Sequence, residues 1–105
     1  MRAENLFSNI PSKIPEELFD VLISKGDVKI ERIVSYGHRT PNSKWYDQDR
    51  DEFVVLLSGE AVLSFEGAEE LKLFAGDSIN IPAHQKHRVE WTKPDTQTIW
   101  LAIYY

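Results

Sequence analysis

EFVVLLSGEAVLSFEGAEELKLFAGDSINIP, residues 52–82, decides the fold. Its apolar runs EFVVLL (52–57), AVLSFE (61–66), LKLF (71–74) and SINIP (78–82) have strand length, and SGE, EGAEE and AGD punctuate them. Connections this short leave no room for a crossover helix, so neighbouring strands must pair antiparallel and close as a sandwich or barrel. The same rhythm extends outward to VKIERIVS (28–35), HRVEW (87–91) and TIWLAIYY (98–105). Only the N-terminal part departs from it. Pro15 suits a first helical turn, Glu16 and Glu17 suit the positive helix end, Leu18, Phe19 and Leu22 share a helical face, and Gly26 can cap the end. These signals predict a helix near 15–24. The expected architecture is all-β: a barrel over 28–105, with a segment over 1–27 packing one short helix on it.

The chain has 105 residues, enough for one hydrophobic core and too few for two. Twelve Lys and Arg stand against seventeen Asp and Glu, and the basic residues are scattered, which excludes a nucleic-acid-binding stripe. With no cysteine there is no thiolate zinc site, no disulfide and no cysteine nucleophile, so His, carboxylate and amide groups must carry any site chemistry. This suits a reducing cytoplasm. The start, MRAENLFSNIP, lacks the apolar stretch of a signal peptide, and no run approaches the ~20 apolar residues of a membrane-spanning helix. A cytoplasmic protein with no membrane partner is expected.

Two stretches hold the candidate chemistry. In WYDQDRDEF (45–53), extended-chain parity puts Tyr46, Gln48, Arg50 and Glu52 on one side and Asp47, Asp49 and Asp51 on the other, facing water. The three aspartates imitate the first ligands of a calcium loop, but Glu52 stands where that loop needs glycine and Ser58 where it needs glutamate. In GDSINIPAHQKHRVEW (76–91), Pro82 ends a strand, and His84 and His87 flank the next connection. His87 shares parity with Val89 and Trp91 and should point inward. His38, in YGHRTP, is a loop histidine that could stand at a pocket rim. Arg39 and Arg50 could grip a carboxylate but more commonly pair with nearby acids on the surface. No phosphate loop, G-x-S-x-G elbow or nucleophile-plus-base arrangement is present.

Together these stretches resemble the two motifs of the cupin family, a small double-stranded β-helix barrel. The first motif places H-x-H before a glutamate and a closing glycine. Tyr46 and Gln48 fall on the histidine positions, Glu52 on the glutamate and Gly59 on the closing glycine, while Gly37 comes earlier than the opening glycine of the pattern. In the second motif Gly76 and Pro82 match, His84 replaces the middle glycine, His87 falls on the histidine and Trp91 replaces the asparagine. The resemblance runs over roughly 28–105, and the spacing from Gly76 to His87 is its most specific part.

What the resemblance implies is a divalent metal, held in cupins by two histidines and a glutamate of the first motif and a histidine of the second. Only Glu52 and His87 keep their type. A set of Gln48, Glu52 and His87, with His84 or Tyr46 as a fourth ligand, is chemically possible; equally, Gln48 and Tyr46 could be pocket wall and His84 a turn residue. So oxygen-rich a set would bind zinc, nickel, manganese or iron more weakly than three histidines. Tyr46, Trp91 and His38 are the expected substrate-pocket residues. Two functions follow as expectations, a metal-dependent enzyme on a small polar substrate or a metal-free module that binds a small molecule. The family likeness also implies a homodimer, with the N-terminal segment and TIWLAIYY available as its interface.

Overall fold

Every apolar run from Val28 onward becomes a strand, and so does one segment before it. The computed structural model describes residues Met1–Tyr105 as eight strands and no helix. They are β1 (Leu18–Lys25), β2 (Val28–Tyr36), β3 (Glu52–Ser58), β4 (Glu60–Phe65), β5 (Leu71–Phe74), β6 (Ser78–Ile81), β7 (His87–Thr92) and β8 (Gln97–Tyr104). A five-stranded sheet in the order β1-β2-β8-β3-β6 faces a three-stranded sheet in the order β5-β4-β7, and every pairing is antiparallel. With no helix, none is long and apolar enough to cross a membrane.

The helix predicted near 15–24 is therefore corrected to an edge strand. Gly26 does not cap a helix; it opens the two-residue loop Gly26-Asp27 between Lys25 and Val28, which pair directly. Its φ of +57° suits the first position of a type II′ hairpin turn. The β-branched Val21 and Ile23 fit the resulting ladder better than a helix, and pairing with β2 overrides the helical spacing of Leu18, Phe19 and Leu22. A bulge at Leu22 shifts the register between Val21 and Ile23.

Between the sheets lies one core that includes Val54, Leu56, Ala61, Leu63, Trp100 and Ala102, all at most 4% exposed. Full burial of a side chain such as Leu56 contributes about 1.5–3 kcal/mol. Trp100 satisfies its indole N–H by donating to Ser35 Oγ at 3.2 Å, and Ser35 in turn donates to Glu17 Oε2 at 2.5 Å. Gly59, with φ +92°, is demanded by space as well as by conformation: a Cβ there would lie 2.8 Å from Thr98 Cα. Deep burial of alternate residues on β3 and β8 puts Glu52 beside Tyr104 in register, which places a carboxylate and a phenol at one end of the core.

Candidate functional site

Backbone pairing brings the two chemistry-bearing stretches together. Tyr46 N–H donates to the His87 carbonyl at 2.7 Å, His87 N–H returns to the Tyr46 carbonyl at 3.1 Å, and His84 N–H donates to the Gln48 carbonyl at 2.7 Å. Asp51 clamps the same join from outside, accepting from Ala83 N–H at 2.8 Å. Residue 84 must turn left-handed for this to happen: His84 has φ +65°, which explains why the family pattern has glycine there.

The pairing closes a cavity of about 60 Å3, room for several waters, and nine of its thirteen lining residues are hydrophobic. Its polar floor is the pair Glu52 and His87, each 6% exposed, with Nε2 of the imidazole 3.4 Å from Oε1 of the carboxylate. His87 Nδ1 lies 2.9 Å from the Gln85 carbonyl and donates to it, so Nε2 is the nitrogen turned toward Glu52. Burial alone would lower the His87 pKa, but the Glu52 carboxylate 3.4 Å away and the hydrogen bond to the Gln85 carbonyl outweigh it and raise it above 6.5. Glu52 Oε1 has no hydrogen-bond partner, and neither has Gln48 Oε1, which is also buried. Two acceptors that make no hydrogen bond and an imidazole nitrogen thus line one cavity.

Two phenols complete the polar wall. Tyr46, its ring 5.8 Å from that of His87, has its pKa raised by burial and by the charges of Glu17 and Glu52, against a hydrogen bond from Thr40. Tyr104 is raised by burial and by Glu52 and Glu31, with Gln48 opposing. Both therefore stay protonated and act as hydroxyl donors.

Gln48, Glu52, His87 and Tyr46 are thus brought together on the cavity, as the sequence led one to expect. His84 is not with them. Its exposed ring lies on a second, wetter hollow of about 420 Å3 with Lys29, Asp47, Asp49 and Arg50, and its Nδ1 sits 3.0 Å from Asp47 Oδ1. Gln48 and Tyr104 line both hollows and form the wall between them. Trp91 does not line the cavity either: β7 skips Glu90 in its pairing with β4, which reverses the parity beyond Val89 and leaves Trp91 under Lys72 Nζ at 4.1 Å. His38 lies off the cavity too. It accepts from Tyr36 N–H at Nδ1 (2.8 Å) and donates from Nε2 to the Pro15 carbonyl (3.1 Å).

Tyr104, Glu17 and Phe19 line the cavity without having been singled out from the sequence. Tyr104 was legible in principle, since the parity of TIWLAIYY groups it with Trp100 and Ala102. Glu17 and Phe19 were hidden by the helical reading of their segment.

Comparison with known proteins matches residues 32–104 to the family model described as a cupin domain. No curated protein matches the chain. Among solved structures, a Ralstonia eutropha JMP134 protein with the provisional name mannose-6-phosphate isomerase is 39% identical, over 99% of this chain and 97% of its own, with TM-score 0.94. A cupin superfamily protein of Desulfitobacterium hafniense DCB-2 is 23% identical over 90% and 82%, at TM-score 0.76. A cupin of Methanocaldococcus jannaschii with a double-stranded β-helix fold is 17% identical over 90% and 84%, at TM-score 0.72. These last two share the fold alone.

Proposed function

The chain belongs to the cupin family, and from that premise we propose that its cavity holds a divalent metal on Glu52, His87 and Gln48 and acts on a small polar substrate. The observation that carries this reading is the pair of buried acceptors without partners, Glu52 Oε1 and Gln48 Oε1, beside the inward nitrogen of His87. Buried polar atoms are nearly always satisfied, and acceptors that converge without a donor fit a cation. No three His, Asp or Glu side chains gather here, so the Gln48 amide oxygen is the natural third ligand. Manganese, iron, nickel and zinc suit such a set, with modest affinity.

When bound, the metal would supply Lewis-acid polarisation of a carbonyl or hydroxyl oxygen. The chain's own residues do the rest. Tyr46 and Tyr104, kept protonated, donate hydrogen bonds to substrate oxygens, while Val54, Leu63 and Ile81 line the apolar wall that excludes water. An isomerase step is the reaction class we favour, supported by the name of the Ralstonia relative.

A metal-free binding module is the second reading, favoured by one contact: once His87 is protonated, it and Glu52 neutralise each other at 3.4 Å without any metal. Calorimetric titration of chelator-stripped protein with manganese, nickel and zinc decides between them. Saturable binding near one ion per chain, lost in His87→Ala, supports the metal site; identical heats in both proteins would end it.

We further place the protein in the cytoplasm and assign it as a homodimer through β1. That edge strand leaves Val21, Leu22 and Ile23 between 40% and 57% exposed, an apolar edge that a second copy could cover. Light scattering at micromolar concentration should give twice the chain mass; a monomer would refute it.

A further inference from the structure

Glu17 stands apart among the carboxylates around the cavity. Glu31 has Lys29 at 3.7 Å, Asp20 has Arg32 at 2.5 Å, Asp47 has His84 and Glu52 has His87. Glu17 has no cationic partner, only the hydroxyl of Ser35. It lines the cavity beside Phe19 and Tyr46, residues 49% and 37% exposed that therefore mark where the cavity meets water. No lysine or arginine lines the cavity at all. A second observation points the same way from deeper inside: Glu52, 6% exposed, has an Oε1 that makes no hydrogen bond, with only the His87 imidazole near it at 3.4 Å.

We propose that the ligand of this cavity carries an ammonium group, held at the mouth by the Glu17 carboxylate and the faces of Phe19 and Tyr46, with its hydroxylated end toward Glu52 and His87. This rests on the reading of the cavity as the ligand site and names the charge class of what enters it. Aromatic faces attract organic cations, and an unpaired carboxylate beside them adds a directed charge. Among the lining side chains a phosphate would meet two carboxylates and no lysine or arginine.

The cations that could receive a phosphate lie beyond the wall of Gln48 and Tyr104, and they are already engaged. Lys29 pairs with Glu31 and stacks on Tyr104 at 4.8 Å. Arg50 donates to the Asp27 carbonyl at 2.9 Å and packs on the same ring at 5.8 Å. The substrate charge in the Ralstonia relative's name therefore does not transfer to this cavity.

Mannosamine, mannose and mannose 6-phosphate differ mainly in charge, and calorimetry with all three tests the proposal at neutral pH. The expected order is mannosamine about tenfold tighter than mannose, with mannose 6-phosphate weakest. Glu17→Gln keeps an oxygen to accept from Ser35 and should close the gap between mannosamine and mannose. In the unmodified protein, added salt should narrow the same gap, a check that needs no variant. The order should hold in chelator-stripped protein, so that failure of the metal reading leaves this result standing. Equal binding of the three, no binding of mannosamine, tightest binding of the phosphate, or a gap that survives Glu17→Gln overturns it.

Discussion

The two polar hollows of this barrel share a wall and differ in every other respect. The outer one is several times larger, and most of its polar side chains are engaged: His84 by Asp47, Arg50 by a carbonyl and the Tyr104 ring, Lys29 by Glu31 and the same ring, with Asp49 left over. In the inner one, lined mostly by apolar side chains, two buried oxygens make no hydrogen bond. Size and charge count would select the outer hollow. Unmet hydrogen-bonding capacity selects the inner one, and it is the better guide, because an unsatisfied buried acceptor costs about 1–3 kcal/mol unless something fills it.

Four experiments would break or sharpen that contrast. Glu52→Gln should have the largest effect, weakening metal affinity by about a hundredfold in a chelator competition, while Asp49→Asn across the wall stays within about twofold. Equal losses would erase the distinction between the hollows. Next comes Gln48→Leu, which removes the third oxygen and should weaken binding about tenfold; Gln48→Glu should strengthen it by adding charge.

Acidity should matter inside and little outside. A metal must displace the proton on His87, whose pKa lies above 6.5, so affinity should fall as pH drops through that value. In metal-free protein the sign is opposite. A raised histidine pKa contributes stability that is fully present below the unfolded value of about 6.5 and is lost as pH rises through the folded value. Glu52→Gln should therefore lower thermal stability more at about pH 6 than at about pH 9; an equal drop at both would mean the pair is not coupled. The smallest effect belongs to the outer hollow. His84→Gly removes an exposed contact with Asp47 and relieves a left-handed φ at some entropic cost, so denaturant unfolding should move by less than about 1 kcal/mol and metal affinity not at all.

Much of the fold could be read from the chain because short apolar runs and turn residues act locally. LKLF at 71–74 and EFVVLL at 52–57 became β5 and β3 with boundaries within a residue. The N-terminal strand could not be read that way. Leu18, Phe19 and Leu22 satisfy a helical spacing and a strand equally, and the deciding fact, Lys25 facing Val28 across a tight Gly-Asp turn, is a property of pairing. The site divided along the same line. Gln48, Glu52 and His87 were legible from motif spacing and alternate parity. Trp91 was misplaced because parity cannot anticipate the bulge at Glu90, and His84 because its left-handed turn sends the ring outward to Asp47. Glu17 and Tyr104 reach the cavity from distant parts of the chain, which only the closed barrel brings together.

Metal per chain, measured by elemental analysis of untagged protein purified without chelator and dialysed, tests the central claim most directly. A value close to one would bear out a cation on Glu52, His87 and Gln48. Essentially none, even after incubation with zinc, nickel, manganese and iron, would contradict it and leave those acceptors as the lining of a metal-free pocket.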